Sequence, residues 1–327
     1  MRCVRTSQLL PLLAAALICT SASAQFCDAP PPPVVDIVAN SYYADAHHSV
    51  VDPARRQENQ RSIAPIESYL REVARMASSR DTQSRDCAAT WLLAWANAGA
   101  LLGSASSEQA YYERKWTLAG LSLGYARVRM QAPHDQKTAI DNWLRQLAHA
   151  VMHHSEAHRG ERNNHFYWEG LAVAAAGAVT QDPDASEWGR RVFDYAMDQI
   201  EPDGSLPNEM KRARRALHYH LYAAEPLAML SSILDRDSPK LDKLVALCIA
   251  GIRNPTLFEQ RTGVAQEGIV QSDFMWLLVY ARRHPSFDMT ALPIHTEDSF
   301  VPRLGGDLAI ANPLEHAASD RCTDLQC

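Results

Sequence analysis

From about Ile63 to residue 284 the apolar residues of this chain return at helical spacing almost without interruption, and strand-type alternation is nearly absent. Trp91, Trp95, Ala98 and Leu102 form one stripe, and Trp168, Leu171, Ala172, Ala175 and Val179 form another. The pattern predicts helices over 64–79, 86–103, 107–129, 136–154, 184–200, 211–235, 238–252 and 271–284, with a further one after Asn164. Turn signals such as "QDPD", "EPDGS" and "RNPT" separate them. Helices of this length in one undivided chain leave few architectures. A four-helix bundle is too small, and a solenoid should show a sequence period where only loose Trp recurrence is found. An all-α toroid of helical hairpins around a common axis remains, with a groove where inner-helix ends and loops meet.

The ends of the chain carry other information. Arg2 and Arg5 precede an apolar run from Leu9 to Cys19, and Ala22-Ser-Ala24 forms a small-residue cleavage site. The run is shorter than the ~20 residues that span a bilayer, and Cys19 lacks the context of a lipidated cysteine. The expected organisation is a signal peptide over 1–24, an extended N-terminal segment with a substrate-covering loop over 25–62, and the helical domain over 63–327. The address implies a periplasmic protein with no membrane anchor, and a monomer is expected. Without residues 1–24 the formal charge moves from -6 to -8, a poor balance for binding nucleic acid. Five cysteines remain, an odd and scattered set. Cys322 and Cys327 are close enough in sequence to close a small loop, whereas Cys87 and Cys248 sit in apolar helical patterns and read as core residues.

Chemistry concentrates in two places. In Arg162-Asn-Asn-His-Phe-Tyr-Trp168, Asn163 or Asn164 can cap the helix that follows. His165 then lies in the first turn, where the helix dipole disfavours imidazolium and leaves a ring able to accept a proton. Tyr167 and Trp168 offer flat faces that could stack on sugar rings, though buried aromatics behind a capped helix would look the same.

The second place is "PNEMKRARRALHYHLY", residues 207–222. On a helix Arg212, Arg215 and Tyr219 fall on one stripe about 10 Å long. Such a cationic cluster in an acidic protein attracts an anionic ligand, although a charge run is commonly a solvated face. Tyr219, with His218 and His220 beside it, supplies proton-transfer groups. Elsewhere His154 and His158 form an i, i+4 pair without an evident third metal ligand, so no metal or cofactor is expected. "ANSYYADAHHS" (39–49) suits a loop over the groove and "RLGGD" (303–307) a turn. No nucleotide-binding loop or nucleophile elbow is present.

The pattern NNH-x-YW, followed by "DGSLPNEMKR-x₄-LHYH-x-YA" and a C-terminal "FVPRLGG", resembles polysaccharide lyase family 5, the bacterial mannuronate-type alginate lyases. The resemblance implies an incomplete α/α toroid and cleavage of 1,4-linked uronate polymers by β-elimination. It implies that Asn164, His165 and Arg212 neutralise the uronate carboxylate, and that Tyr219 is the catalytic acid and, for mannuronate, also the base. His165 would be the base when the C5 proton lies on the opposite face. Trp168 would stack at a sugar subsite, and Tyr167, Arg215 and His220 would contact substrate. The family's N-terminal loop places a basic residue before a tyrosine. Here the pair reads Tyr42-Tyr43, so the sugar preference is open between polymannuronate and polyglucuronate.

Two rivals compete with the lyase reading. An inverting glycoside hydrolase needs two carboxylates about 6.5–9.5 Å apart, for which Glu169 and Glu209 are the candidates. A non-catalytic binder of acidic polysaccharide needs the arginines and aromatics but not Tyr219.

Overall fold

The computed structural model describes residues 27–45, 50–160, 162–287, 289–290 and 292–316. The expected signal peptide, the end of the 39–49 loop, and Cys322 and Cys327 lie outside the described residues. The described chain is built from α1 (Pro53–Ala77), α2 (Thr82–Asn97), α3 (Glu108–Val128), α4 (His134–Ala157), α5 (Asn164–Thr180) and α6 (Pro183–Gln199). There follow α7 (Pro207–Met210), α8 (Ala216–Ile233), α9 (Pro239–Arg253), α10 (Thr256–Thr262) and α11 (Leu277–Arg283). Two short strands, β1 (Phe300–Val301) and β2 (Gly306–Asp307), pair antiparallel with Phe300 opposite Asp307.

Side-chain caps set most of the long-helix starts. Asp52, Asp81, Ser107, Asn163, Asp182 and Ser238 each accept a backbone N–H of the first turn that has no helical partner. Helices α1, α3, α5 and α8 pack successively side by side, while α2, α4 and α6 form an outer layer. The inner α3, α5 and α8 are buried on almost every side, and the outer α4, α6 and α9 along one stripe. That difference explains the Ala-rich run of α5, which leaves room for helices on all sides. The two layers make an incomplete α/α toroid whose ring is open between α1 and α8.

Three details depart from the sequence-based expectation. Helix α1 starts at Pro53, eleven residues before the predicted boundary. Asp52 caps it and Pro53 occupies the first helical position, but its polar opening turns carry no apolar period to be read. Secondly, α8 does not run from residue 211. Ala213 adopts a left-handed φ of 50°, so the chain passes through a turn and the helix begins at Ala216. Thirdly, Cys87 is not a plain core residue but is disulfide-bonded to Cys27.

The pairing follows from how the Pro-rich N-terminus lies along α2. Trp91 and Trp95 donate their indole N–H groups to the carbonyls of Asp28 (2.8 Å) and Pro31 (3.1 Å). Farther along, Leu101 and Gly103 N–H donate to Val34 and Val35, and Ile37 N–H to Ser104. The Trp stripe of α2 therefore anchors a strap that delivers Tyr42 and Tyr43 to the open side of the ring. Cys248 is buried and free, as read from its pattern.

A close approach fixes the other rim. A Cβ on Gly120 of α3 would meet the Pro302 carbonyl and lie 3.1 Å from Arg303 Cα. Glycine lets the β1–β2 turn sit directly on α3, with Gly305 in the left-handed region (φ 82°).

Candidate active site

Between α1 and α8 lies a cleft of about 590 Å³. One wall is α1, where Arg56, Gln60, Ile63, Glu67 and Arg71 face inward over about 22 Å of helix. Such a length holds several sugar units. The floor comes from α3, α5 and α8, and the rims carry Tyr42, Tyr43 and Arg303.

On α5, Asn163 is the cap, since its Oδ1 accepts the His165 N–H at 3.0 Å. Asn164 is fully buried and does not line the cleft. Its backbone N–H and its Nδ2 both donate to the Glu209 carboxylate at 2.9 Å, and its Oδ1 has no partner. His165 does line the cleft, stacked on Tyr112 with ring centroids 3.8 Å apart. Behind it Lys115, completely buried, donates to the His165 carbonyl at 3.0 Å and pairs with Glu169 at 3.3 Å. Burial pushes the Lys115 ammonium below its ordinary value, with the Glu169 charge opposing. The same ammonium lies 4.2 Å over the Tyr112 ring, so one cation braces both members of the stack.

The arginine turn is tied down from outside. Gln266 donates to the Ala213 carbonyl (3.0 Å) and accepts from Leu217 N–H (3.0 Å), while Glu267 N–H donates to the Arg214 carbonyl. These bonds hold Ala213 in its left-handed conformation. The turn places the guanidinium carbons of Arg212 and Arg215 4.8 and 5.0 Å from the centre of the Tyr219 ring. The helical stripe read from the sequence is thus not what joins these three residues. Arg212 lies near Glu209 (3.9 Å), so Glu209 links it to Asn164 from behind the cleft. Arg215 donates to the Tyr43 hydroxyl at 2.8 Å, and the Tyr43 and Tyr219 hydroxyls are 3.1 Å apart.

Those two phenols titrate together. Burial pushes Tyr219 up, and the neighbouring Tyr43 adds to it. Burial also acts upward on Tyr43, but the hydrogen bond with Tyr219 and the Arg215 charge outweigh it and bring Tyr43 below its ordinary value. The first proton therefore leaves Tyr43, and Tyr219 keeps its own.

Several predicted site residues do not line the cleft. Besides Asn164, Arg212 does not, and it reaches the site only through its packing on the Tyr219 ring. Tyr167 is 2 % exposed and His220 is fully buried, and neither lines the cleft. His220 accepts the Leu206 N–H and contacts the Ala216 carbonyl, and burial lowers it to about 4, so it is a neutral structural residue. Trp168 reaches the cleft but is only 1 % exposed and packs against Tyr222. It forms floor, while Tyr42, Tyr112 and Tyr222 present the half-buried ring faces.

His218 does face the cleft, 3.7 Å from Asp273 and edge-on to Tyr219. Sequence reasoning missed Arg303, which sits 4.4 Å over Trp116 and pairs with Glu67 and Glu113. It also missed Lys115, Tyr112 and Gln266, which carry no local motif. Glu209 was legible as a candidate hydrolase carboxylate, but not as the anchor of Asn164 and Arg212. His154 contacts Glu108 and stacks on His158, and no group of three metal-ligating residues occurs among the described residues.

The alginate lyase family model matches residues 36–257. A polysaccharide lyase of Stenotrophomonas maltophilia (strain K279a) is 39% identical over 321 residues, covering 92% of this chain and 95% of that protein. An alginate lyase of Pseudomonas fluorescens (strain Pf-5) is 30% identical over 308 residues, covering 86% and 83%. Among solved structures, a His-to-Ala variant of alginate lyase A1-III complexed with tetrasaccharide shares the fold, with a TM-score of 0.73 at 23% identity over 88% of this chain and 85% of that one. The same lyase from Sphingomonas species A1 gives a TM-score of 0.70. By sequence, fold and the order of its motifs, this chain belongs to the alginate lyase family, the polysaccharide lyases of family 5.

Proposed function

We propose that this polysaccharide lyase cleaves 1,4-linked polyuronates, polymannuronate (alginate) and polyglucuronate, by β-elimination in the α1–α8 cleft. One observation carries the reading: a buried tyrosine hydroxyl, Tyr219, opens onto the cleft between two guanidinium groups and a second phenol. Elimination removes the C5 proton, forms the C4–C5 double bond and expels O4, which must take up a proton. The C5 proton is poorly acidic beside an ionised carboxylate, so positive charge near that carboxylate lowers the barrier. Arg212, packed on the Tyr219 ring, supplies that charge and His165 a hydrogen-bonding ring on the cleft wall. The buried Asn164 acts through Glu209, which holds both it and Arg212 from behind.

Tyr219 enters the cycle protonated and is the acid for O4. When Tyr43 has lost its own proton, its contact with Tyr219 offers a path by which the Tyr219 proton passes to the Tyr43 oxygen. Tyr219 is then able to take the C5 proton and hand it on to O4. His165 is the base for sugars whose C5 proton faces α5. The hydrolase rival loses its candidates, because Glu169 is paired with Lys115 and Glu209 with Asn164, and neither lines the cleft. Secretion to the periplasm belongs to the same proposal, supported by the leader sequence and by a disulfide suited to an oxidising compartment. The deciding experiment follows near-ultraviolet absorbance of unsaturated ends on polymannuronate, polyguluronate and polyglucuronate. Reducing ends appearing without that absorbance would mean hydrolysis and end the lyase mechanism.

A further inference from the structure

The cleft that takes a polyanion is lined by five acids, and four of them are compensated. Glu67 and Glu113 pair with Arg303 at 3.3 and 3.4 Å. Glu108 lies 3.2 Å from His154. Asp273 accepts the Val270 N–H at 3.0 Å and faces His218 at 3.7 Å. The fifth, Glu225, is 7 % exposed, and no hydrogen bond or ion pair reaches it among the described residues.

We propose that Glu225 is a specificity-determining residue that works as a carboxylic acid: protonated, it donates a hydrogen bond to the bound polyuronate, and ionised, it repels the polymer. This rests on the polyuronate lyase reading above. His218, Tyr222 and Glu225 fall at i, i+4 and i+7 and all face the cleft. Glu225 lies about 9 Å along α8 from Tyr219, so it faces a part of the cleft away from the Tyr219 hydroxyl.

A carboxylate there would be desolvated, without a donor, and beside the substrate's own negative charge. The charged groups around it do not relieve this. Arg303 on the β1–β2 turn is committed to its two glutamates, and Asp273 before α11 adds negative charge. Tyr222 on its own helix is held neutral by burial, and Glu113 on α3 and Tyr42 on the strap lie around Tyr222. In keeping with this, burial raises the Glu225 carboxyl to about 8, against the pull of Arg303. The neutral acid has both an O–H donor and a carbonyl acceptor, which fit a sugar hydroxyl or carboxylate.

The sign is fixed. The binding-competent acid form is present below about 8 and is lost as pH rises through it. The test is kcat/KM on polymannuronate against pH for the full-length enzyme and Glu225→Gln, which has the shape of the neutral acid and cannot ionise. Wild type should lose about tenfold one unit above that pH, as a single ionisation in the free enzyme requires. Glu225→Gln should keep its activity there. Tyr43→Phe should retain the fall, which separates Glu225 from the phenol whose own ionisation is made easier. Binding of a polymannuronate oligosaccharide to Tyr219→Phe, with and without Glu225→Gln, should repeat the pattern in Kd. An alkaline fall of equal position and depth in both enzymes overturns the role of Glu225 alone. Absence of unsaturated product at every pH overturns the lyase reading instead.

Discussion

The hydroxyls of Tyr43 and Tyr219 lie 3.1 Å apart across 176 residues of sequence, joining the N-terminal strap to the first turn of α8. Each phenol alters the other's proton affinity, and Arg215 bonds to the Tyr43 side of the pair. Removing either hydroxyl therefore has a distinct consequence.

Tyr219→Phe keeps the ring between the two guanidiniums and removes only the proton carrier. kcat should fall about 10²–10⁴-fold with KM little changed, the usual contribution of a general acid–base group. Tyr43→Phe should also lower kcat, but less, because Tyr219 keeps its proton for O4 while losing the phenol that accepts that proton before the C5 step. Unsaturated-product absorbance measures both, and a Tyr219→Phe enzyme within about threefold of wild type would falsify the assignment.

Arg212→Ala should damage rate and binding together. The side chain is only 12 % exposed and packs on the Tyr219 ring, so it is not a solvated charge. Arg212→Lys should not restore activity, since an ammonium cannot reproduce the planar, multi-donor fork beside the Tyr219 ring. Glu209→Gln should reproduce part of the loss, because it weakens the hold on both Asn164 and Arg212. Wild-type kinetics in Glu209→Gln would remove Glu209 from the positioning role.

The legible part of this protein is the part written locally. The helical period discloses the toroid, because each inner or outer helix must bury a face or bury all round. Asn164, His165, Arg212 and Tyr219 stand in two short motifs, so their types and spacing are visible without a structure. What the motifs hide is the backbone between them. Ala213 is an ordinary helix former, and only Gln266 and Glu267, more than fifty residues later, hold it left-handed. Arg303 reaches Glu113 across 190 residues through a glycine contact on α3, and no local pattern encodes that approach. Tyr167 and His220 show the opposite failure. They sit inside the motifs, but helix geometry turns them into the core.

Loss of the Cys27–Cys87 disulfide, by reductant or Cys87→Ser, should lower stability more than activity. It closes a loop of 60 residues, for which the chain-entropy model gives about 4 kcal/mol. In a chain of this size that is a fall in Tm on the order of 10 °C. The strap keeps its bonds from Trp91, Trp95 and Ile37, so kcat at 25 °C should stay near wild type. Thermal unfolding with and without reductant is the measurement. An unchanged Tm would show that the strap's hydrogen bonds alone fix the N-terminus.

Tyr42 stands where the resemblance to the family implies a basic residue in the N-terminal loop. Its ring packs on Tyr43 with centroids 4.6 Å apart, and it lines the cleft. Burial raises its hydroxyl well above the ordinary value, so it offers a sugar only a neutral hydrogen bond or a ring face. Neutral bonds are about half as strong as charge-assisted ones. The wild-type loop should therefore depend weakly on carboxylate placement and tolerate either configuration at C2, the centre where mannuronate and glucuronate differ. Tyr42→Lys adds a cation beside the positions of Arg215 and Arg303, which already act on this hydroxyl. It should narrow the enzyme toward polymannuronate, shifting the ratio of kcat/KM for the two polymers by about tenfold, equivalent to ~1.4 kcal/mol. The ratio is measured on polymannuronate and polyglucuronate for both enzymes at one ionic strength, because added charge on a polyanion site is screened by salt. An unmoved ratio means that Tyr42 does not set the sugar preference.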